Sequence, residues 1–186
     1  MKSGVRALGV AESYREDRST LAGAVVRADR VADGFGFTSC TVGGTDATDA
    51  VVSLVECVAR EDIRYIMLGA VAPAWYNVLD LSAIHQRTDR PVLAVTFEES
   101  EGLEDSLREA FSGPELEARL ERYRNLPPRR AVSVGEETVY VRACGLEFEE
   151  AREAVRAFTP EGGRPEPLRV ARLAARAGAE YRRGEE

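Results

Sequence analysis

The reactive side chains of this sequence are chiefly carboxylates: 32 Asp and Glu stand against 25 Lys and Arg and one histidine, for a formal net charge of -7. With His85 alone, a Ser-His-Asp triad or a histidine-rich metal site would rest on a single residue. No GxSxG, Walker or GxGxxG pattern supports hydrolase, ATPase or dinucleotide chemistry. Beside Gln86 and Arg87, His85 reads as a surface or hydrogen-bonded structural histidine. Cys40, Cys57 and Cys144 are odd in number and far apart, which suits buried thiols in a reducing compartment. What remains is oxygen chemistry, with carboxylates holding a hard cation such as Mg2+ or Mn2+ that orients a water and stabilises a leaving oxygen.

Such carboxylates must converge, and strand ends at one edge of a sheet converge. Val5–Glu12, Leu21–Arg27 and Gly34–Val42 read as three short apolar strands joined by polar loops, an antiparallel meander. Gly43-Gly44-Thr45 breaks that pattern. Asp46 or Thr48 can then cap a helix running to about Arg60, with Ala50, Val51, Leu54, Val55 and Val58 on one face. Glu12 therefore closes the first strand, while Asp46 and Asp49 open the first helix. The plainer role of that aspartate pair is electrostatic, since a helix start favours a carboxylate by roughly 0.3–1 kcal/mol. Asp80 likewise reads as a capping or solvent-facing carboxylate.

Ile63–Leu68 and Pro91–Phe97 are apolar on both faces, as central parallel strands require, and helical spacing runs from about Asn77 to Arg87 between them. The order βββαβαβ predicts an α/β fold with a ribonuclease-H-like mixed sheet. A flavodoxin-like sheet would want a helix between the first two strands. Further helices are expected over Gly102–Phe111 and Pro114–Arg124, followed by the stiff connector Pro127 to Arg130 and a hairpin of Ala131–Val134 with Thr138–Arg142. A helix over Phe148–Phe158, a loop over Pro160–Pro167 and an arginine-rich helix over Leu168–Arg183 complete the chain. At 186 residues this is read as one domain, with a core over about 5–111 and a C-terminal extension over 112–186.

No stretch approaches the roughly 18 apolar residues of a membrane span, and the opening MKSGVRALGV lacks a signal-peptide core, so no membrane is expected and the compartment is read as cytoplasmic. Only Lys2 among the basic residues is lysine. That poverty, with the acidic excess, points to a GC-rich genome and a salt-loving organism. An acidic chain is a poor non-specific binder of nucleic acid, so any such binding must come from a local arginine face. The dense candidates are Arg164, Arg169, Arg172, Arg176, Arg182 and Arg183; a solvated helix with Glu166, Glu180, Glu185 and Glu186 interleaved is the plainer alternative.

The segments GVAESY (9–14), VGGTDATDAV (42–51), IRYIMLGAVAPAWYNVLDL (63–81) and RPVLAVTFE (90–98) occur in an order that resembles the archaeal endonuclease V-like family also called endonuclease dU. The resemblance implies a metal-dependent nuclease using Mg2+ or Mn2+ on DNA, single- or double-stranded, that carries a deaminated base such as uracil or hypoxanthine. RNA is an alternative substrate, and a homodimer is compatible with the sequence. It places the first-strand acidic position on Ala11, with Glu12 beside it, the second on Asp46, and the position after the fourth strand on Gly69. Neighbouring strand residues face opposite sides, so Glu12 replaces Ala11 only where the strand ends or bulges. The candidate catalytic residues are thus Glu12 and Asp46, the metal ligands Glu12, Asp46 and Asp49, and the substrate-binding residues Tyr14, Trp75 and Asn77. A member that binds nucleic acid or a protein partner without cleaving is the alternative that Ala11 and Gly69 favour.

Overall fold

The computed structural model describes residues 1–184. Glu185 and Glu186, counted above among the acids interleaved with the terminal arginines, lie outside the described residues. Strands β1 (Arg6–Arg15), β2 (Arg18–Arg27) and β3 (Ala32–Thr41) form the expected meander. The first two run further than their apolar pattern indicates. Polar residues from Ser13 to Thr20 stay in the ladder, and the chain reverses over Glu16 and Asp17, with Glu16 at φ +51°.

Helix α1 (Ala47–Val58) buries Ala50, Val51, Leu54 and Val55, one turn apart along a single face. It stops before Arg60 because Ala59 turns left-handed and its N–H bonds the carbonyl of Val55. Strand β4 (Ile63–Leu68) pairs parallel with β1, and β5 (Val92–Thr96) pairs parallel with β4. Between them lie a four-residue turn, α2 (Pro73–Tyr76), and α3 (Leu81–Thr88). The expected single helix from Asn77 therefore begins four residues later, at the cap formed by Asp80, whose carboxylate accepts the Ala83 N–H. His85 is held as anticipated, its Nδ1 within 2.8 Å of the Arg90 carbonyl.

Helices α4 (Glu104–Ala110) and α5 (Gly113–Arg124) lead to the hairpin β6 (Arg130–Val134) and β7 (Glu137–Cys144), then α6 (Phe148–Ala157) and α7 (Glu166–Arg183). Among the described residues, seven strands share one sheet, in the order β3-β2-β1-β4-β5-β7-β6, with β7 antiparallel to β5. This is the ribonuclease-H-like mixed sheet predicted from the element order. The C-terminal hairpin extends the same sheet as the N-terminal meander.

Strand periodicity decides which side each residue covers. Leu8, Val10, Ile66 and Leu68 pack with α1 and α3. Ala7, Tyr65 and Met67 turn to the other side, against α6 and the valines of the hairpin. Ala24 and Val26 meet Ala171 of α7 on that second side. Gly9 lets α7 reach the sheet, since a Cβ there would stand 2.1 Å from the carbonyl oxygen of Pro167. Among the described residues, no helix is long and apolar enough to cross a membrane.

Candidate functional site

The parallel strands do not end together. The last β1–β4 pair is Val10 with Leu68, after which the Gly69 N–H bonds the Val10 carbonyl at 3.1 Å. β1 continues to Arg15, supported on its other edge by β2. The freed edge of β1 and the loop after β4 frame a cavity of about 370 Å³ that includes Ala11, Glu12, Ser13, Tyr14 and Gly69, and α7 closes it with Arg172 and Arg176. A second cavity of about 440 Å³ adjoins it, sharing Gly69, Ala70, Arg164 and Arg172, and runs past the end of β5 to Phe97 and Tyr123. The result is a trough across the carboxyl ends of three parallel strands, where open α/β sheets place their ligands.

Glu12 lies within an unbroken ladder, paired with Leu21, so the strand neither ends nor bulges there. Ala11 accordingly packs toward α7, and the Glu12 side chain leaves on the opposite face. Because β4 has already stopped, the trough opens onto both residues from the strand edge. Glu12 Oε2 accepts from Ser19 Oγ and from the Ala74 N–H, each at 2.7 Å. Oε1 has no hydrogen-bond partner among the described residues. Burial raises the Glu12 pKa above its ordinary value, and the bonds from Ser19 and Ala74 only partly oppose it.

The amide that holds Glu12 comes from an unusual turn. Ala74, Trp75 and Tyr76 are all left-handed, at φ +50°, +56° and +62°. For non-glycine residues this conformation costs roughly 1–2 kcal/mol each. The Gly43 N–H donates to the Ala74 carbonyl at 2.7 Å, and the Asn77 N–H to Pro73 at 2.9 Å. Gly43 itself has φ +68°, and a Cβ there would press on the Trp75 indole at 2.9 Å. Trp75 packs against Phe111 with the rings tilted by 53° and their centroids 5.2 Å apart, and stays 48% exposed. It is not among the residues lining either trough cavity. Tyr14, 56% exposed, is in the wall beside Glu12. The two aromatic candidates are thus separated.

Asp46 is anchored differently. One oxygen accepts from the Thr41 N–H at 3.0 Å and from Asn77 Nδ2 at 2.8 Å, and the other from Thr41 Oγ1 at 2.9 Å. Burial pushes its pKa up, but the bonds from Thr41 and Asn77 outweigh it and the net shift is downward. Asp46 does not cap α1 with its side chain, and neither does Thr48, whose hydroxyl accepts the Asp80 N–H. The cap is Asn77, whose Oδ1 takes the Ala47 N–H at 3.0 Å. Asn77 is 0% exposed with both ends of its amide engaged. The expectation that it touches substrate is corrected: its polar atoms tie the end of β3 to the start of α1.

Asp49 is also corrected. Its side chain is 71% exposed and paired with Arg87 at 2.5 Å, and it lines neither trough cavity, so it completes no ligand set with Glu12. Glu12 and Asp46 both flank the buried Cys40, where burial, then Asp46, then Glu12 push the thiol pKa up to about 12. Among the described residues, no group of three His, Cys, Asp or Glu side chains is arranged to hold a metal ion. Ala11 and Gly69 offer none, and the oxygens of Asp46 are already committed. The donor set therefore does not fit a resident Mg2+ or Mn2+ ion.

The terminal arginines split into two groups. Arg169 pairs with Glu166, Arg183 with Glu180, and Arg182 donates to Thr20 Oγ1. Arg164, Arg172 and Arg176 line the trough. Ser19 and Ala74 are the parts of the site that sequence reasoning missed, and the arginines were named there without the division between paired and trough-lining ones. Only the arginines left a signal, since Glu three residues before Arg169 and Arg183 marks those two as paired on the helix surface.

The family model described as Endonuclease dU matches residues 3–178. The UPF0215 protein of Pyrobaculum calidifontis is 35% identical over 178 residues, spanning 94% of this chain and 97% of that protein. A crystal structure of a protein of unknown function from Archaeoglobus fulgidus superposes with a TM-score of 0.81 at 26% identity, covering 92% of this chain and 96% of the other. Endonuclease V of Ciona intestinalis, in complex with a 24mer DNA containing an inosine followed by a ribo-adenosine, gives 0.65 at 13% identity over 95% and 86% of the two chains. At that identity the likeness is one of fold, and the fold is nuclease-like. On its matched length and its relatives, this chain belongs to the endonuclease dU family.

Proposed function

We propose that the protein is an endonuclease acting on DNA with a deaminated base, uracil or hypoxanthine, and that Glu12 is its reacting carboxylate. The observation that carries this reading is Glu12 itself. It is a desolvated acid with one oxygen unpartnered, in the wall of a trough at the carboxyl ends of parallel strands. The description of the family and the endonuclease V fold support nucleic acid as the ligand of that trough.

Hydrolysis of a phosphodiester needs a group that takes a proton from the attacking water, while a P–O bond breaks and the leaving oxygen acquires a proton. A carboxylate of raised pKa is a stronger base than an ordinary one, and general-base catalysis is typically worth about 10²–10⁴-fold. Ser19 and the Ala74 amide fix one oxygen of Glu12, so the other can be aimed. Tyr14, in the same wall, supplies an exposed ring for stacking on an extruded base, a contact worth roughly 1–3 kcal/mol.

A second reading, binding without cleavage, is favoured by Ala11 and Gly69 at two positions where the resemblance expects acids. One assay separates the two. Labelled single- and double-stranded oligonucleotides carrying one uracil or one inosine are incubated with the protein in EDTA, Mg2+ or Mn2+, at low and high salt. The expected result is lesion-dependent cleavage by the wild type and cleavage reduced about 10²–10⁴-fold in Glu12→Gln. No product under any condition rejects catalysis and leaves the binding reading.

A further inference from the structure

We propose that Arg164, Arg172 and Arg176 form a phosphate-binding subsite that works without a metal ion, gripping the backbone of the bound strand beside Glu12. The proposal rests on reading the trough as a nucleic-acid site, and it adds which groups hold the phosphates and that no cation mediates the contact.

Placement is the first argument. Arg172 and Arg176 are one helical turn apart on α7, so their side chains leave the same face, and both line the cavity that contains Glu12. Arg164 lines it too, and with Arg172 it borders the adjoining cavity, so positive charge continues along the trough. The Arg164 guanidinium is braced over the Phe97 ring at 3.8 Å.

The second argument is the absence of partners in a chain with acid to spare. Carboxylates outnumber basic residues, and Arg169 and Arg183 of the same helix are paired with Glu166 and Glu180. Among the described residues, Arg164, Arg172 and Arg176 have no carboxylate within ion-pairing distance. Among the described residues Glu12 is the one acid in the first cavity wall, with Oε2 held by Ser19 and Ala74, and Glu98 stands in the wall of the second, in no ion pair with Arg164 or Arg172. Burial, then the neighbouring charge of Arg172, lowers the Arg164 pKa, in keeping with both side chains lining the same two cavities.

The third argument is chemical. Where three carboxylates would gather a cation to meet phosphate oxygens, this trough presents fixed cations directly. Guanidinium forks match phosphate oxygens bidentately. The subsite therefore supplies the neutralising charge that the poor ligand set cannot recruit.

The test is binding of a fluorescein-labelled single-stranded oligonucleotide to the full-length protein in EDTA, titrated across salt concentrations. We expect tight binding without metal, unchanged by added Mg2+. Arg172→Gln and Arg176→Gln should each weaken it roughly tenfold, the effect of losing a charge-assisted hydrogen bond. The double variant should reduce the slope of log K against log salt by about 1.4, given about 0.7 per phosphate contact on a single strand. Arg183→Gln, on the same helix but paired with Glu180, should bind as the wild type does. Glu12→Gln should bind several-fold more tightly, because it removes a like charge facing the phosphate.

Binding that requires Mg2+, or that survives the double substitution, overturns the proposal, as does no binding at all. Equal competition by polyglutamate overturns it in favour of an acidic peptide. Metal-free, arginine-dependent binding without cleavage would leave the subsite standing while the nuclease reading fell.

Discussion

Two carboxylates at the same end of the sheet, Glu12 and Asp46, have opposite fates. Both act on the Cys40 thiol, raising its pKa, and both are partly desolvated. Asp46 is surrounded by donors from Thr41 and Asn77, and its pKa falls. Glu12 receives two donors on one oxygen, and its pKa rises. The difference teaches that position at a strand or helix terminus does not make an acid reactive. What matters is how much of its hydrogen-bonding capacity the protein leaves open.

The sharpest way to break this comparison is Glu12→Gln. Cleavage should fall about 10²–10⁴-fold, the range expected for losing a general base. The same substitution should raise the melting temperature at neutral pH. The folded-state pKa of Glu12 lies above its ordinary value of 4.5, so the native state holds that proton more tightly than the unfolded chain does. Its ionisation thus removes stability as pH climbs from the ordinary value through the raised one, a penalty that glutamine avoids. The gap between the two proteins should close in acid. A melting-temperature difference that instead widens in acid would show that burial does not govern Glu12.

Asp46→Ala should do the reverse, destabilising the fold by about 1–3 kcal/mol because Thr41 and Asn77 lose their shared acceptor. Cleavage per folded molecule should stay within about twofold, since both Asp46 oxygens are engaged by Thr41 and Asn77 and not free to take a proton from water. Urea unfolding and activity on the same sample measure the two separately, and loss of activity with the fold intact would return Asp46 to the reacting groups. The smallest effect belongs to Asp49→Ala. An exposed pair with Arg87 is worth no more than about 1 kcal/mol, and neither stability nor cleavage should change appreciably.

The fold was legible because its strong signals are local. IRYIML is apolar but for Arg64, whose side chain reaches solvent and pairs with Glu150, and it became the central strand. Three apolar runs without an intervening helical pattern became the meander. The site was less legible because its decisive contacts are not local. The Asp46 partners are 5 and 31 residues away in sequence, and the Ala74 amide reaches Glu12 across 62. Nothing in Ala74-Trp75-Tyr76 announces a left-handed turn, because none of the three is the glycine or asparagine that such a backbone usually selects. Asn77 read as the start of a helix it does not enter, while capping one thirty residues earlier.

The turn that follows β4 also has a bearing on acidity. Ala74 can present its N–H to Glu12 only while the backbone there keeps its reversed hand, a posture secured by the main-chain bond to Gly43. Were those residues to relax into a right-handed coil, the acid would lose one of its two donors and cling to its proton more strongly still. The handedness of a four-residue coil thus helps set the readiness of Glu12 to part with a proton.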